Sequence, residues 1–161
     1  MAMLTLPRIR PYKSVDDLGK KLALTLFSQR VIDKRSQYQI VVVDDEDFSP
    51  LENLRRHNYN ITHLRDVPSI DALRRYHVVL CDLIGVGMGL SSTMQGAHIV
   101  GETKKSFPEK IIVAYTGGGS AELLEPSIQA ADYFLKKDAN VEEWCEVLDK
   151  SIEDLVNPVT V

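Results

Sequence analysis

From Gln39 onward the chain alternates short, uninterrupted apolar runs with segments of helical periodicity, and no other feature limits its fold so tightly. The runs occupy residues 40–43, 61–64, 78–81, 111–115 and 133–135. Three are continuous stretches of β-branched or aliphatic residues, the pattern of strands covered on both faces of a parallel sheet. Helix starts lie between them. Ser49-Pro50-Leu51-Glu52 reads as a capping box with proline at the first helical position, Ser69 precedes Ile70-Asp71-Ala72-Leu73, and Asn140 with Glu143 opens a last helix. That helix carries Val141, Trp144, Leu148, Ile152 and Leu155 at helical spacing and ends before Pro158. Strand and helix in alternation predict an α/β fold, a doubly wound five-stranded parallel sheet, because parallel neighbours need right-handed helical crossovers. A ligand site then belongs at the C-terminal ends of the strands.

Ahead of this pattern, residues 1–37 read as one extra N-terminal helix. Ser14 and Asp17 supply a capping box, Val15, Leu18, Leu22 and Leu26 form an apolar stripe widened by Leu24, Phe27 and Val31, and Arg30, Lys34 and Arg35 suit the C-terminal end. The expected division is a helical extension over 1–37 and an α/β domain over 38–161. A chain of 161 residues can bury a core without staples. Cys81 and Cys145 follow no ligand spacing, which fits two thiols in a reducing compartment. The net charge of −4 argues against direct nucleic-acid binding through phosphate neutralisation. No signal peptide and no membrane-spanning run is found, so a cytoplasmic location is expected.

The chemistry-bearing residues follow the apolar runs. The first run leads into Asp44-Asp45 and then Glu46 and Asp47, the third into Asp82, the fourth into Thr116, and the fifth into Lys136-Lys137. Three carboxylates carried by two strands form the oxygen-rich, incomplete shell that suits Mg²⁺, which keeps several waters and accepts one or two carboxylates plus a phosphate. A carboxylate can also attack phosphorus, and a lysine ammonium and a threonine hydroxyl can stabilise the charge on the transferred oxygens.

Val-Val-Val-Asp44-Asp45, Val-Val-Leu-Cys-Asp82-Leu, Ile-Ile-Val-Ala-Tyr-Thr116 and Ala-Asp-Tyr-Phe-Leu-Lys-Lys137-Asp-Ala occur in that order. In this respect the chain resembles, from about Tyr38 to Val156, the receiver domain of two-component response regulators. The resemblance implies a flavodoxin-like sheet of order 2-1-3-4-5 and a phosphoryl group accepted on Asp82 from a histidine kinase or phosphotransfer protein. It further implies Mg²⁺ bound directly by Asp45 and Asp82, with Asp44 assisting through water and the backbone carbonyl of Ile84 completing the site. Thr116 and Lys137 would bind the phosphoryl oxygens. Lys137 is preferred to Lys136 because successive strand residues face opposite ways and the family pattern Leu-x-Lys-Asp-Ala selects the second. Phe134 matches the aromatic that receivers use as a rotameric switch, and reads equally well as a core aromatic. With three residues after Pro158, the chain reads as a stand-alone receiver whose output is a downstream protein target, a homodimer or the N-terminal helix.

Two rivals remain. Asp45-Glu-Asp47-Phe-Ser49 also fits the nucleophile motif of haloacid-dehalogenase-type phosphatases, which would make Asp45 the nucleophile. A receiver-like interaction module that is never phosphorylated is the other. Several departures from the family pattern stand out: no proline follows Asp82, a long loop through Met94 delays the next helix, Asp138 stands where proline is common, and Pro126 interrupts the expected fourth helix. Gly85, Gly87 and Gly89 read as loop, since no Gly-Lys-Ser/Thr follows. His57, His63, His77 and His98 share no metal spacing and read as structural or exposed.

Overall fold

The computed structural model describes residues 29–117 and 126–158. The chain divides into two compact units, Met1–Asp33 and Lys34–Val161. In the first, residues 29–33 are helical, and the predicted cap at Ser14 and the stripe from Val15 to Phe27 lie outside the described residues.

The second unit is built on five strands, β1 (Gln39–Val43), β2 (Asn60–Leu64), β3 (Val78–Asp82), β4 (Ile111–Thr116) and β5 (Tyr133–Lys136). All pair in parallel, in the order β2-β1-β3-β4-β5. Each strand sits where an apolar run occurs, and β3 and β4 are buried from end to end, as continuous apolar strands in a two-sided sheet must be.

Three α-helices are described: α1 (Leu51–Arg56), α2 (Gly96–Ser106) and α3 (Val141–Val156). On one sheet face Val41, Val43, Val79, Cys81, Ile112 and Ala114 join Ile99 and Val100 of α2 in a single buried cluster. By strand alternation the opposite face carries Ile40, Val42, Leu80, Val113 and Tyr115, and the buried Leu54 of α1 and Trp144, Leu148 and Ile152 of α3 belong with it. Asp44 and Asp82 fall on this second face by the same alternation.

The Asn140 cap forms as predicted. Its side chain accepts from the Glu143 N–H while Glu143 accepts from the Asn140 N–H. The Ser49 box does not form. Pro50 is already in helical conformation, no side chain caps α1, and the first turn closes on main-chain carbonyls, Leu51 N–H to Phe48 O at 3.1 Å and Leu54 N–H to Pro50 O at 2.9 Å. Glu52 pairs with Arg55 instead. The segment after Ser69 is a four-residue 3-10 turn, Ile70–Leu73, not an α-helix, because only Leu73 is fully buried there and one anchor cannot hold a longer helix. Around Pro126, which lacks the donor a helix interior needs, the chain forms a 3-10 turn, Pro126–Ala130.

Candidate functional site

Parallel strands put their C-terminal ends on one edge, and the polar residues of the sequence collect there. Oxygens of Asp44, Asp45 and Asp82 lie within 4.8 Å of one another. Asp44 and Asp82 are buried and Asp45 is exposed. A cluster made only of hard carboxylate oxygens, with one member open to solvent, fits a small divalent cation of the Mg²⁺ type and fits neither a thiolate nor an imidazole metal.

Lys137 reaches this cluster because it lies one residue beyond Lys136. Lys136 pairs with Thr116 and Leu135 with Tyr115, so alternation turns Lys137 to the face of Tyr115, Asp44 and Asp82. Its Nζ lies 3.0 Å from Asp82 Oδ2, 3.0 Å from Glu46 Oε2 and 3.3 Å from Asp44 Oδ2. Lys136 is exposed. Burial pulls the Lys137 ammonium down, but the hydrogen bonds to Asp82 and Glu46 outweigh it, and its net shift is upward.

Asp82 ends β3. Its Oδ1 accepts the Ile84 N–H at 3.2 Å and its Oδ2 accepts from Lys137. Burial pushes its pKa up, the Lys137 and Ile84 hydrogen bonds pull it down, and the nearby Asp44 charge adds to the rise; the net shift is upward. Thr116 ends β4, is buried, and gives its carbonyl to the Lys137 N–H at 3.0 Å. The Ile84 side chain is exposed. Phe134 is 45% exposed on the edge strand β5, so the core-aromatic alternative does not hold.

The backbone around the acidic pair is pinned. His63 Nε2 lies 2.8 Å from Asp44 O, which gives this histidine a structural role, and Arg65 donates to Asp45 O at 2.9 Å and to the Asp47 carboxylate at 2.5 Å. Asp47 is exposed and pairs with Arg65, and it is not a member of the three-carboxylate cluster. Gly85 has φ +88°, and a Cβ there would stand 2.4 Å from Asp45 Oδ1. The loop after β3 thus passes against the Asp45 carboxylate at a position only glycine can fill, with Gln95 Oε1 accepting the Gly85 N–H at 2.8 Å.

Sequence patterning placed Glu46 with the acids after the first run, but it did not single out Gln95 or Tyr115 as parts of the site. The Tyr115 hydroxyl donates to Asp44 Oδ2 at 2.8 Å, and burial, with that carboxylate, pushes the phenol far up, so it stays protonated. A strand aromatic looks like core in sequence, and only the pairing of β1, β3 and β4 brings its hydroxyl to Asp44.

No protein-family model and no curated protein matches the chain in sequence. Solved structures do match. The receiver domain of NtrX from Brucella abortus aligns at a TM-score of 0.59 and 26% identity, over 71% of this chain and 98% of that one. A response regulator protein from Burkholderia pseudomallei, solved with a phosphorylated aspartic acid, calcium ion and citrate, aligns at 0.53 and 22% identity over 77% of each chain. The NtrX chain from Brucella abortus in complex with ATP aligns at 0.60 and 24% identity over 74% of this chain, which spans only 28% of that one. The resemblance to response-regulator receiver domains thus holds in three dimensions over most of the chain, and the five-stranded order 2-1-3-4-5 is theirs. Among the described residues, no helix is long and apolar enough to cross a membrane.

Proposed function

We propose that this chain is a phosphoacceptor signalling domain, in which Asp82 takes a phosphoryl group from the phosphohistidine of a histidine kinase or phosphotransfer protein with Mg²⁺ as cofactor. The observation that carries this reading is the meeting of a buried carboxylate, Asp82, with two further carboxylates and one ammonium at the C-terminal edge of a receiver-like sheet.

The chemistry runs through the chain's own residues. The Ile84 N–H and Lys137 orient the two oxygens of Asp82. One oxygen attacks phosphorus, the P–N bond to the donor imidazole breaks, and its electron pair leaves on the ring nitrogen, giving an aspartyl phosphate and a neutral histidine. Lys137 and the Thr116 hydroxyl stabilise the charge on the peripheral oxygens. Asp45, Asp82 and the Ile84 carbonyl would hold Mg²⁺, with Asp44 acting through water, and the ion would supply further positive charge to the transferred oxygens.

Phosphorylation would then bias a protein-binding surface that includes Phe134, with a downstream protein target or a second copy of the chain as the reader. The residues before Lys34 would act as an extension outside the phosphoacceptor unit, which takes in the turn Arg35–Gln37, and the protein would work in the cytoplasm. Incubation with Mg²⁺ and acetyl phosphate, followed by intact mass measurement, tests the reading. One phosphoryl adduct on the wild type and none on Asp82→Asn is expected. A wild type that gains no adduct leaves a phosphorylation-independent interaction module, and an adduct mapped to Asp45 points to the phosphatase-type nucleophile.

A further inference from the structure

We propose that Tyr115 is a positioning residue for the cation site, its hydroxyl fixing the Asp44 carboxylate so that Asp45 and Asp82 present the oxygens a divalent cation binds. The proposal rests on the phosphoacceptor reading above.

Asp44 is fully buried, and both its oxygens are engaged. Oδ1 accepts from the Glu46 N–H at 2.9 Å and Oδ2 from the Tyr115 hydroxyl at 2.8 Å, while Lys137 Nζ stands 3.4 Å from the first and 3.3 Å from the second. Two of these donors cannot wander. The Glu46 N–H is main chain beside a pinned backbone, and the tyrosine ring is 1% exposed. Its centroid lies 5.3 Å from that of Trp144, edge to face, and 5.8 Å from that of Phe48, and those two rings meet at 5.1 Å. Three mutually packed aromatics from β4, α3 and the loop before α1 therefore aim one hydroxyl at one carboxylate oxygen.

Asp45 is the opposite case. It is exposed, and none of the described residues hydrogen-bonds its carboxylate. Lys137 serves three carboxylates at once, so it cannot alone fix the orientation of any of them. Without the hydroxyl, Asp44 Oδ2 would be left buried with only this shared ammonium, and the carboxylate would turn toward Lys137 and disturb the spacing of the three acids.

Tyr115→Phe keeps the ring and removes the hydroxyl. Calorimetric titration of the full chain with MgCl₂ is expected to show about tenfold weaker binding, the worth of a hydrogen bond to a charged group. Circular dichroism should stay that of the wild type. Acetyl-phosphate-driven adduct formation should need about tenfold more Mg²⁺ for half-saturation yet reach a wild-type maximal rate, a split that general loosening of the fold would not give. In an Asp44→Asn background, Tyr115→Phe should change Mg²⁺ affinity no further. Should Tyr115→Phe alone fail to fold, the double variant, which leaves no buried charge short of a donor, carries the comparison with Asp44→Asn. Wild-type Mg²⁺ affinity in Tyr115→Phe, or an equal loss in the Asp44→Asn background, overturns the proposal. A wild type that binds Mg²⁺ but accepts no phosphoryl group removes the phosphoacceptor reading and leaves the calorimetric comparison to decide the role of Tyr115. A wild type that binds no Mg²⁺ overturns both.

Discussion

Lys137 Nζ stands 3.0 Å from Asp82 Oδ2 although the two residues are 55 positions apart, and the same ammonium also touches Glu46 and Asp44. Among the described residues it is the one cation paired with Asp44 or Asp82. Lys137→Met should therefore slow phosphoryl uptake by about tenfold or more, because the transferred oxygens lose a fixed positive neighbour. It should also lower stability by about 1–3 kcal/mol, less than for a fully buried pair because the lysine is partly exposed. Thermal unfolding with and without Mg²⁺ checks this, and the divalent ion should recover part of the lost stability.

Asp82 carries a stability cost tied to its role. Its pKa in the folded chain lies above the ordinary 3.8, chiefly through burial, so over that interval the folded state holds a proton the unfolded state has released. The protonated form favours folding below pH 3.8, and this contribution is lost as pH rises through the folded pKa. At neutral pH the ionised Asp82 is thus a net load. Asp82→Asn should raise the urea midpoint at pH 7, and its advantage should shrink as pH falls toward 4. A neutral-pH midpoint below that of the wild type would contradict this sign.

Asp82 was legible in the sequence because it ends a continuous apolar run, and a run buried on both faces has one conformation and one end. Lys137 follows the half-exposed edge strand β5, and strand alternation with the resemblance to receivers was needed to choose it over Lys136. The Asn140 box was legible for a similar reason, as cap, acid and apolar stripe agree. Ser49 misled because the signature is shared by turns, and Pro50 allows the main chain to close the first turn itself. Ser69 misled because a cap residue says nothing of length, and within Ile70–Leu73 only Leu73 is buried. Tyr115 as part of the site was not legible, since its hydroxyl meets Asp44 across 71 residues of chain.

The glycines of the site region should respond to an added methyl group in graded fashion. Gly89→Ala meets nothing within 4 Å and should be near neutral. Gly85→Ala meets Asp45 Oδ1 at 2.4 Å in a backbone with φ +88°, and should cost about 1–3 kcal/mol while weakening Mg²⁺ binding through displacement of that carboxylate. Gly96→Ala places its methyl 2.0 Å from the main-chain oxygen of Asp82, where no side chain can yield, and should be the most damaging of the three. Chemical denaturation orders them, and calorimetric Mg²⁺ titration of the folded variants separates loss of fold from loss of the site.

At the other end of the sheet, a second polar cluster should affect folding alone. Arg35 donates to Asp149 through Nε at 2.8 Å and Nη2 at 2.6 Å, and its guanidinium lies 4.6 Å from the centroid of the Tyr59 ring. The Tyr59 hydroxyl donates to the same carboxylate at 2.6 Å. One carboxylate on α3 thus ties the 3-10 turn Arg35–Gln37 to the residue that leads into β2, and burial with Asp149 as acceptor pushes the Tyr59 phenol far up. Asp149→Asn keeps the shape but gives up the charge that both donors use, so it should cost about 1–3 kcal/mol. Tyr59 precedes β2, whereas Asp44 and Asp82 sit where β1 and β3 end, so Mg²⁺ affinity and phosphoryl uptake should match the wild type at temperatures where the variant is folded. Parallel measurement of the unfolding midpoint and of Mg²⁺ affinity checks both halves, and a fall in affinity without a fall in midpoint would refute the separation.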